Sequence, residues 1–288
     1  MTQAQAFDPI AFKQKMRQEW SGAAGGWRKW YHVVEGKDGG QRHSAKLVEL
    51  ARIRPGASVL DVGGGYGEPS LTAARSAGSK GRVVCTDISP GLLAFARERA
   101  REAGLDNVEF LESDAEQLDF EEESFDAIIS RAVLMFLPDV AGTLTRLRSF
   151  LKPGGRFAAS VWGEKSKVEF AMAGSVIAAE LALPPPPPGL PGLFALADER
   201  RLATLVREAG FRDVETGTVQ VIFETETAAQ FTEFIRDVAP PFSVLLKDHP
   251  PEVRERIWEK VTKAYARCAD PSRRIRTTNE AIWVAATK

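Results

Sequence analysis

The chemistry in this sequence concentrates in a glycine run and three acids. Asp61-Val62-Gly63-Gly64-Gly65-Tyr66-Gly67 places glycines at alternate positions behind an apolar segment, with a carboxylate at its start. Such a turn exposes backbone N–H groups and lets the main chain approach a nucleotide closely. The spacing is one residue short of the dinucleotide fingerprint G-x-G-x-x-G, and no lysine follows as a phosphate loop requires. Pro69 fits the first position of a helix and has no N–H to offer a phosphate. Glu68 suits the positive helix end but would repel a pyrophosphate placed there. A ligand without phosphate, carrying a sulfonium and an amino-acid tail, avoids that conflict. Asp87 falls twenty residues after Gly67, placed to accept hydrogen bonds from ribose hydroxyls. Asp114, in Glu112-Ser113-Asp114-Ala115, can accept from an adenine amino group. Each acid alone is an ordinary turn or capping carboxylate. At successive strand ends they read as one set of contacts.

The elements that must hold these residues alternate along the chain. Apolar runs at 58–62, 82–87, 108–111, 125–130 and 156–162 predict five strands, and helical spacing predicts helices over 44–52, 69–77, 90–103 and 141–151. Strands of continuous apolar character between helices predict a parallel sheet covered on both faces, an α/β, Rossmann-like fold. Ligands of such sheets bind beyond the carboxyl ends of the strands, where the glycine turn, Asp87, Asp114 and Ser130-Arg131 meet. Further on, 168–183 reads as a helix ending at Pro184–Pro188, a stiff spacer, and 197–210 as a helix capped by Gly210. The ranges 214–223 and 280–286 read as strands, with helices at 228–238 and 251–266 inserted between them as a lid. The expected organisation is a flap at 1–43, a core at 44–223 and 280–288, and a helical lid at 224–279.

Composition narrows the function classes. With 38 basic and 39 acidic residues the net charge is −1, which offers no footprint for nucleic acid or an anionic membrane. Two cysteines are too few for a disulfide framework or a cysteine zinc site, and no metal is expected. Neither a signal peptide nor a membrane span is apparent, so a cytoplasmic location is expected.

VLDVGGGYG, VVCTDIS, ESDAEQLDFEEESFDAIIS and LKPGGRF, in this order and spacing, resemble the class I S-adenosylmethionine-dependent methyltransferases. Within them the sequence is most similar to the small-molecule group of the quinone-biosynthesis enzymes, over roughly residues 44–162. The resemblance implies a seven-stranded sheet with an antiparallel last strand and S-adenosyl-L-methionine as cofactor. It implies that Asp61, Gly63, Gly64, Gly65 and Gly67 pass the methionine and sugar portions, and that Asp87 and Ile88 meet the ribose. Asp114 and Ala115 would meet the adenine, and Arg131 would sit at the methionine end. Residues 151–155, LKPGG, read as a structural turn into the fifth strand.

The methyl acceptor is harder to read. In-line displacement from a sulfonium needs alignment in a dry pocket, and a base only if the acceptor must lose a proton. The candidate bases are His32, His43 and His249, with Tyr31 beside them; a lone histidine is more often a surface or packed residue. Trp20, Trp27, Trp30 and Tyr31, beside flexible glycines, suggest an aromatic flap, with Met135, Phe136 and Trp162 as further apolar pocket residues. Ser130-Arg131-Ala132-Val133 is unlike the [ND]PP[YF] of amino-methylating enzymes acting on DNA or protein. The expected partner is a small organic acceptor methylated on oxygen or carbon, with no nucleic acid and a monomer or homodimer as the assembly. A nicotinamide-dependent oxidoreductase and a noncatalytic S-adenosylmethionine-binding protein stay open as alternatives.

Overall fold

Period-two alternation in the first strand divides its side chains between the two faces of a sheet. Leu60 and Val62 join one apolar cluster, while Val59 joins a second with Leu47, Ala73 and Ala74. Asp61 shares the face of Val59. The computed structural model describes residues 7–185, 187 and 189–288; residues 1–6 of the expected flap and Pro186 and Pro188 of the spacer lie outside them.

The sheet has seven strands: β1 (Ser58–Val62), β2 (Arg82–Asp87), β3 (Val108–Glu112), β4 (Phe125–Arg131), β5 (Leu151–Trp162), β6 (Arg212–Thr225) and β7 (Ile275–Thr287). Their order is β3-β2-β1-β4-β5-β7-β6. Strands β1 to β5 pair in parallel, and β7 runs antiparallel to both β5 and β6. The Rossmann-like sheet expected from the sequence is thus present, with its distant last two strands paired. Order reverses at β1 and β4, so the crevice lies over the carboxyl ends of those two strands.

Helices α1 (Pro9–Gly22), α2 (Ala24–Val34) and α3 (Arg42–Leu50) precede the sheet. Helices α4 (Ser70–Ala77), α5 (Pro90–Glu102) and α6 (Val140–Phe150) make the crossovers. Two more, α7 (Met172–Glu180) and α8 (Glu199–Glu208), lead from β5 into β6. Then α9 (Ala228–Val238), α10 (Pro240–Leu246) and α11 (Pro251–Tyr265) fill the connection between β6 and β7. Ser89 caps α5, accepting from the Leu92 N–H, and Asp139 caps α6 through the Gly142 N–H. Such caps contribute about 1 kcal/mol each. Phe125, Phe157, Phe231 and Phe234 are wholly buried, each worth roughly 1.5–3 kcal/mol of transfer free energy.

Some sequence-based boundaries move. The helix expected over 168–183 begins only at Met172, because Val168 bridges to Asn279 and the Asn279 amide oxygen takes the Phe170 N–H at 2.8 Å. The LKPGG segment, read as a turn, is part of β5. Leu151 pairs with Phe125 and Arg156 with Ala127, and the extra residues form an irregularity around Gly154 at φ +75°. Pro69 caps α4 rather than entering it. The short helix α10, which opens on Pro240-Pro241, was not among the expected helices; proline fits the first turn, where its missing N–H is not needed.

Candidate functional site

At the end of β1 the backbone turns through three left-handed glycines, Gly63 (φ +72°), Gly65 (φ +53°) and Gly67 (φ +104°). Gly64 drops onto β2, where its N–H meets the Thr86 carbonyl at 2.8 Å. A Cβ at Gly64 would lie 2.5 Å from Cys85 Sγ, and one at Gly63 would lie 2.3 Å from a Val133 methyl. Gly65 is different: a Cβ there would find only Asp87 and Leu92, both at 3.9 Å. The turn is therefore closed against the sheet and open at Gly65.

Asp87 faces that opening. One carboxylate oxygen accepts the Gly65 N–H at 2.9 Å and the other accepts the Ser89 N–H at 2.8 Å. Burial lifts its pKa to about 6, against the hydrogen bonds it accepts. Each oxygen keeps lone-pair capacity for a ligand hydroxyl. Ile88 follows, half exposed at the mouth. Asp61 lies wholly buried beneath the turn, with the Ser70 hydroxyl donating to one oxygen at 2.5 Å. Its other oxygen, Oδ1, is buried without a hydrogen-bond partner. Burial holds its pKa up at about 7, opposed by the Ser70 hydrogen bond and by Arg131.

Glu68, read from the sequence as a group that repels phosphate, turns away from the mouth. It accepts from the backbone N–H and hydroxyl of Thr72 and pairs with Arg99 at 3.5 Å. Its charge therefore offers no argument against a phosphate at the mouth. Asp114 caps the single turn at Ala115–Gln117 and meets the Lys13 ammonium at 2.6 Å.

Arg131 ends β4 inside a polar cluster that sequence reasoning missed. It reaches Glu35 at 2.8 Å and donates to the Tyr66 hydroxyl at 2.6 Å, Ser44 Oγ at 2.9 Å and the Gly40 carbonyl at 3.2 Å. Tyr66 donates in turn to Glu35 at 2.6 Å. Tyr66 stands inside the quoted motif, so its place was legible; Glu35 stands alone between Val34 and Gly36 and belongs to no pattern. Gly39 brings its loop onto β6, where a Cβ would lie 2.5 Å from the Ile222 carbonyl.

Helices α1 and α2 close over this region. Besides Lys13, Ser21 Oγ meets Ser89 Oγ at 3.2 Å, and Arg17 pairs with Glu112. Trp27 stacks on Tyr66 with ring centroids 5.2 Å apart, and Trp20 sits edge-on to Phe136 at 5.9 Å. Trp27 Nε1, like Asp61 Oδ1, is buried without a partner. The aromatic set expected as one pocket splits. Trp20, Trp27 and Phe136 meet beside the turn, while Met135 is buried in the core. Trp30 turns to the inserted helices, donating to Asp237 at 2.7 Å and packing on Phe234. Tyr31 faces outward against Phe95 and Arg99, and Trp162 packs inward on Phe170 and Phe223. Clefts of about 430 and 720 Å³ flank residues 30–39 but touch neither Gly65 nor Asp87.

None of the three histidines hydrogen-bonds to the turn among the described residues. His32 is exposed beside Trp30, and His249 lies between α10 and α11. His43 is buried on α3, its Nε2 2.7 Å from Ser160 Oγ. Burial, helped by Arg131, drops its pKa from 6.5 to about 3, so it stays neutral and makes a poor base. Between those values the unfolded chain binds a proton that the folded chain refuses, so stability falls as pH falls. A His43→Gln variant is therefore expected to gain about 2 kcal/mol on the natural chain between neutrality and about pH 5, read from urea midpoints. Asp61 and Asp87 act in the opposite sense, since their raised pKa values make stability fall as pH rises through about 7 and about 6. The difference between variant and natural chain is the quantity to follow; a pH-independent difference would mean His43 is not held neutral.

These groups fit a phosphate-free adenosyl ligand. An unpaired buried carboxylate oxygen suits a cationic amino group, a two-oxygen acid at the mouth suits vicinal hydroxyls, and Gly65 leaves room between them. The sheet order and this turn together define the Rossmann-like methyltransferase class. Residues 53–209 match the family model described as a methyltransferase domain, and the chain belongs to that family, whose methyl donor is S-adenosylmethionine. It is 40% identical over 113 residues to aklanonic acid methyltransferase DauC of Streptomyces sp. (strain C5), covering 39% of this chain and 51% of that one. It is 41% identical over 105 residues to the ubiquinone/menaquinone biosynthesis C-methyltransferase UbiE of Brucella suis, covering 36% of this chain and 39% of that one. The chain thus spans about half or less of the length of these curated relatives. In fold it is similar to the [4+2]-cyclase SpnF, with a TM-score of 0.61, 20% identity and 96% of each chain covered. It is likewise similar to Haemonchus contortus phosphoethanolamine N-methyltransferase 2 in complex with S-adenosyl-L-methionine, with a TM-score of 0.56, 20% identity, and 96% of this chain and 60% of that one covered. The family match removes the nicotinamide-dependent alternative.

Proposed function

We propose that this protein transfers the methyl group of S-adenosylmethionine to a small organic acceptor, on oxygen or carbon. The acceptor binds between the flap, residues 1–43, and the inserted lid, residues 224–279. The observation that carries the reading is the open Gly65 flanked by Asp87, with the unpaired Asp61 oxygen below. In this reading Gly63, Gly64, Gly65 and Gly67 pass the donor's methionine and sugar, and Asp61 faces its amino group. Asp87 and Ile88 hold the ribose, Asp114 and Ala115 the adenine, and Arg131 orders the methionine end. Trp20, Trp27 and Phe136 wall the acceptor. Among the described residues, no helix is long and apolar enough to cross a membrane. A cytoplasmic location, the absence of a nucleic-acid partner and a monomer or homodimer belong to the same proposal.

The relatives' names support a small organic acceptor, one naming aklanonic acid, and the other supports a carbon target as a C-methyltransferase of quinone biosynthesis. The protein's part is alignment and exclusion of water, worth effective molarities of about 10⁵ M or more. A panel of quinols, phenols, thiols and polyketide-like acceptors with labelled methyl donor tests the reading. Label in a product extracted from the phenol, quinol or polyketide-like arms is the expected result. Binding of S-adenosylhomocysteine with no turnover across the panel would support a noncatalytic binding protein, and absence of that binding would overturn both.

A further inference from the structure

Helix geometry continues from α1 into α2. The Ala23 N–H meets the Glu19 carbonyl and the Trp27 N–H meets the Ala23 carbonyl, both at 3.0 Å. Glu19, Ala23 and Trp27 therefore recur every four residues along one side. That side is covered: Ala23 is buried, Trp27 lies on Tyr66, and the Glu19 side chain is only 9% exposed. Both carboxylate oxygens of Glu19 are buried without a hydrogen-bond partner, as is Trp27 Nε1. Among the described residues the one ion-pair partner of Glu19 is Lys15, an i,i+4 pair at 3.7 Å, too long for a hydrogen bond and made by a side chain 61% exposed. Buried polar groups without a hydrogen-bond partner cost about 1–3 kcal/mol each, so a bare donor and an acceptor held only by a long ion pair to an exposed lysine, both on one helix side, point to a ligand that pairs them. Trp20, next to Glu19, has its ring 6.2 Å from that of Trp27 and meets Phe136 edge-on.

We propose that Glu19 is the catalytic base for the acceptor, drawing the proton from a phenol- or enol-type hydroxyl held among Trp20, Trp27 and Phe136. Trp27 Nε1 donates to a second oxygen of the same acceptor. The assignment rests on the methyl-transfer reading above. The hydroxyl proton passes to a Glu19 oxygen as the acceptor's lone pair forms the O–CH₃ bond, and the electron pair of the broken C–S bond stays on sulfur. For an enol methylated on carbon, the same proton loss sends the electron pair through the double bond to the carbon. Burial, against the pull of Lys15, raises the Glu19 pKa from its ordinary value, which makes it a stronger proton acceptor.

The test compares 2-naphthol with 2-methoxynaphthalene, which lacks the hydroxyl, by calorimetry on protein loaded with S-adenosylhomocysteine. The natural chain is expected to prefer the naphthol by about tenfold or more, the range of a hydrogen bond to a charged acceptor. Glu19→Leu is expected to bring the two within about twofold, and Glu19→Asp to restore part of the preference. On any phenolic acceptor found by the panel, Glu19→Gln is expected to lower kcat by about 100-fold with little change in KM. An equal preference in natural chain and Glu19→Leu, or no naphthol binding to a loaded natural chain, overturns the role of Glu19 and leaves the donor site standing. Failure to bind S-adenosylhomocysteine overturns the parent reading instead. Unchanged S-adenosylhomocysteine affinity in Glu19→Leu shows that the variant is folded.

Discussion

Replacing Asp87 by alanine is expected to weaken S-adenosylhomocysteine binding by about 100-fold or more, measured by calorimetry. Two effects add. In the proposed complex the carboxylate accepts from two ribose hydroxyls, and hydrogen bonds to a charged group are worth about 1.5–3 kcal/mol each. Alanine also frees the Gly65 and Ser89 N–H groups, which Asp87 ties together across the mouth at 2.9 and 2.8 Å. Asp87→Asn separates the two effects, since the amide keeps one acceptor oxygen and loses the charge. It should fall between alanine and the natural residue. Affinity that is the same in Asp87→Ala as in the natural chain would remove the ribose assignment.

Arg131→Met should be the most damaging change to stability. The guanidinium is buried with Glu35 and donates to Tyr66, Ser44 and Gly40. Methionine fills much of the volume but leaves a buried carboxylate without its cation, a loss of about 3–5 kcal/mol. Urea denaturation would show this as a large fall in midpoint with little change in slope. Adding Glu35→Gln removes the stranded charge, so the double variant should recover a good part of the loss. A double variant no more stable than the single one would mean that Glu35 and Arg131 are not energetically coupled.

The fold was legible where one periodicity dominated. Val59, Leu60 and Val62 gave β1 its true bounds, and Arg82–Asp87 did the same for β2, because parallel inner strands are apolar on both sides. Boundaries slipped where tertiary partners intervene. Asn279, distant in sequence, unwinds the start of the helix expected at Val168. In the site, backbone-driven features were readable: three glycines adopt positive φ, and Asp87 lies at the strand end that spacing assigned. Side-chain partnerships were not. Nothing near Lys13 announces Asp114, 101 residues on, and Glu35 finds Arg131 only because two helices cross the end of the sheet. Tyr31 shows the converse limit: adjacent to Trp30 in sequence, it points to a different neighbour, since successive residues of a helix diverge by about 100°.

The first two helices are fastened by cations reaching outward to separate places: Lys13 to Asp114, Arg17 to Glu112, Arg28 to Glu98 and Lys29 to Glu233. Arg17, Arg28 and Lys29 are each about half exposed. Charges in that position are screened beyond roughly 10 Å in 0.1 M salt and weaken steadily as salt rises. Arg131 and Glu35 beneath them, and the Trp27–Tyr66 stack, are shielded from mobile ions. Ionic strength therefore acts on these outer pairs and leaves the buried contacts beneath them untouched, so raised salt loosens the outer fastening of α1 and α2 while the Arg131–Glu35 pair keeps its strength.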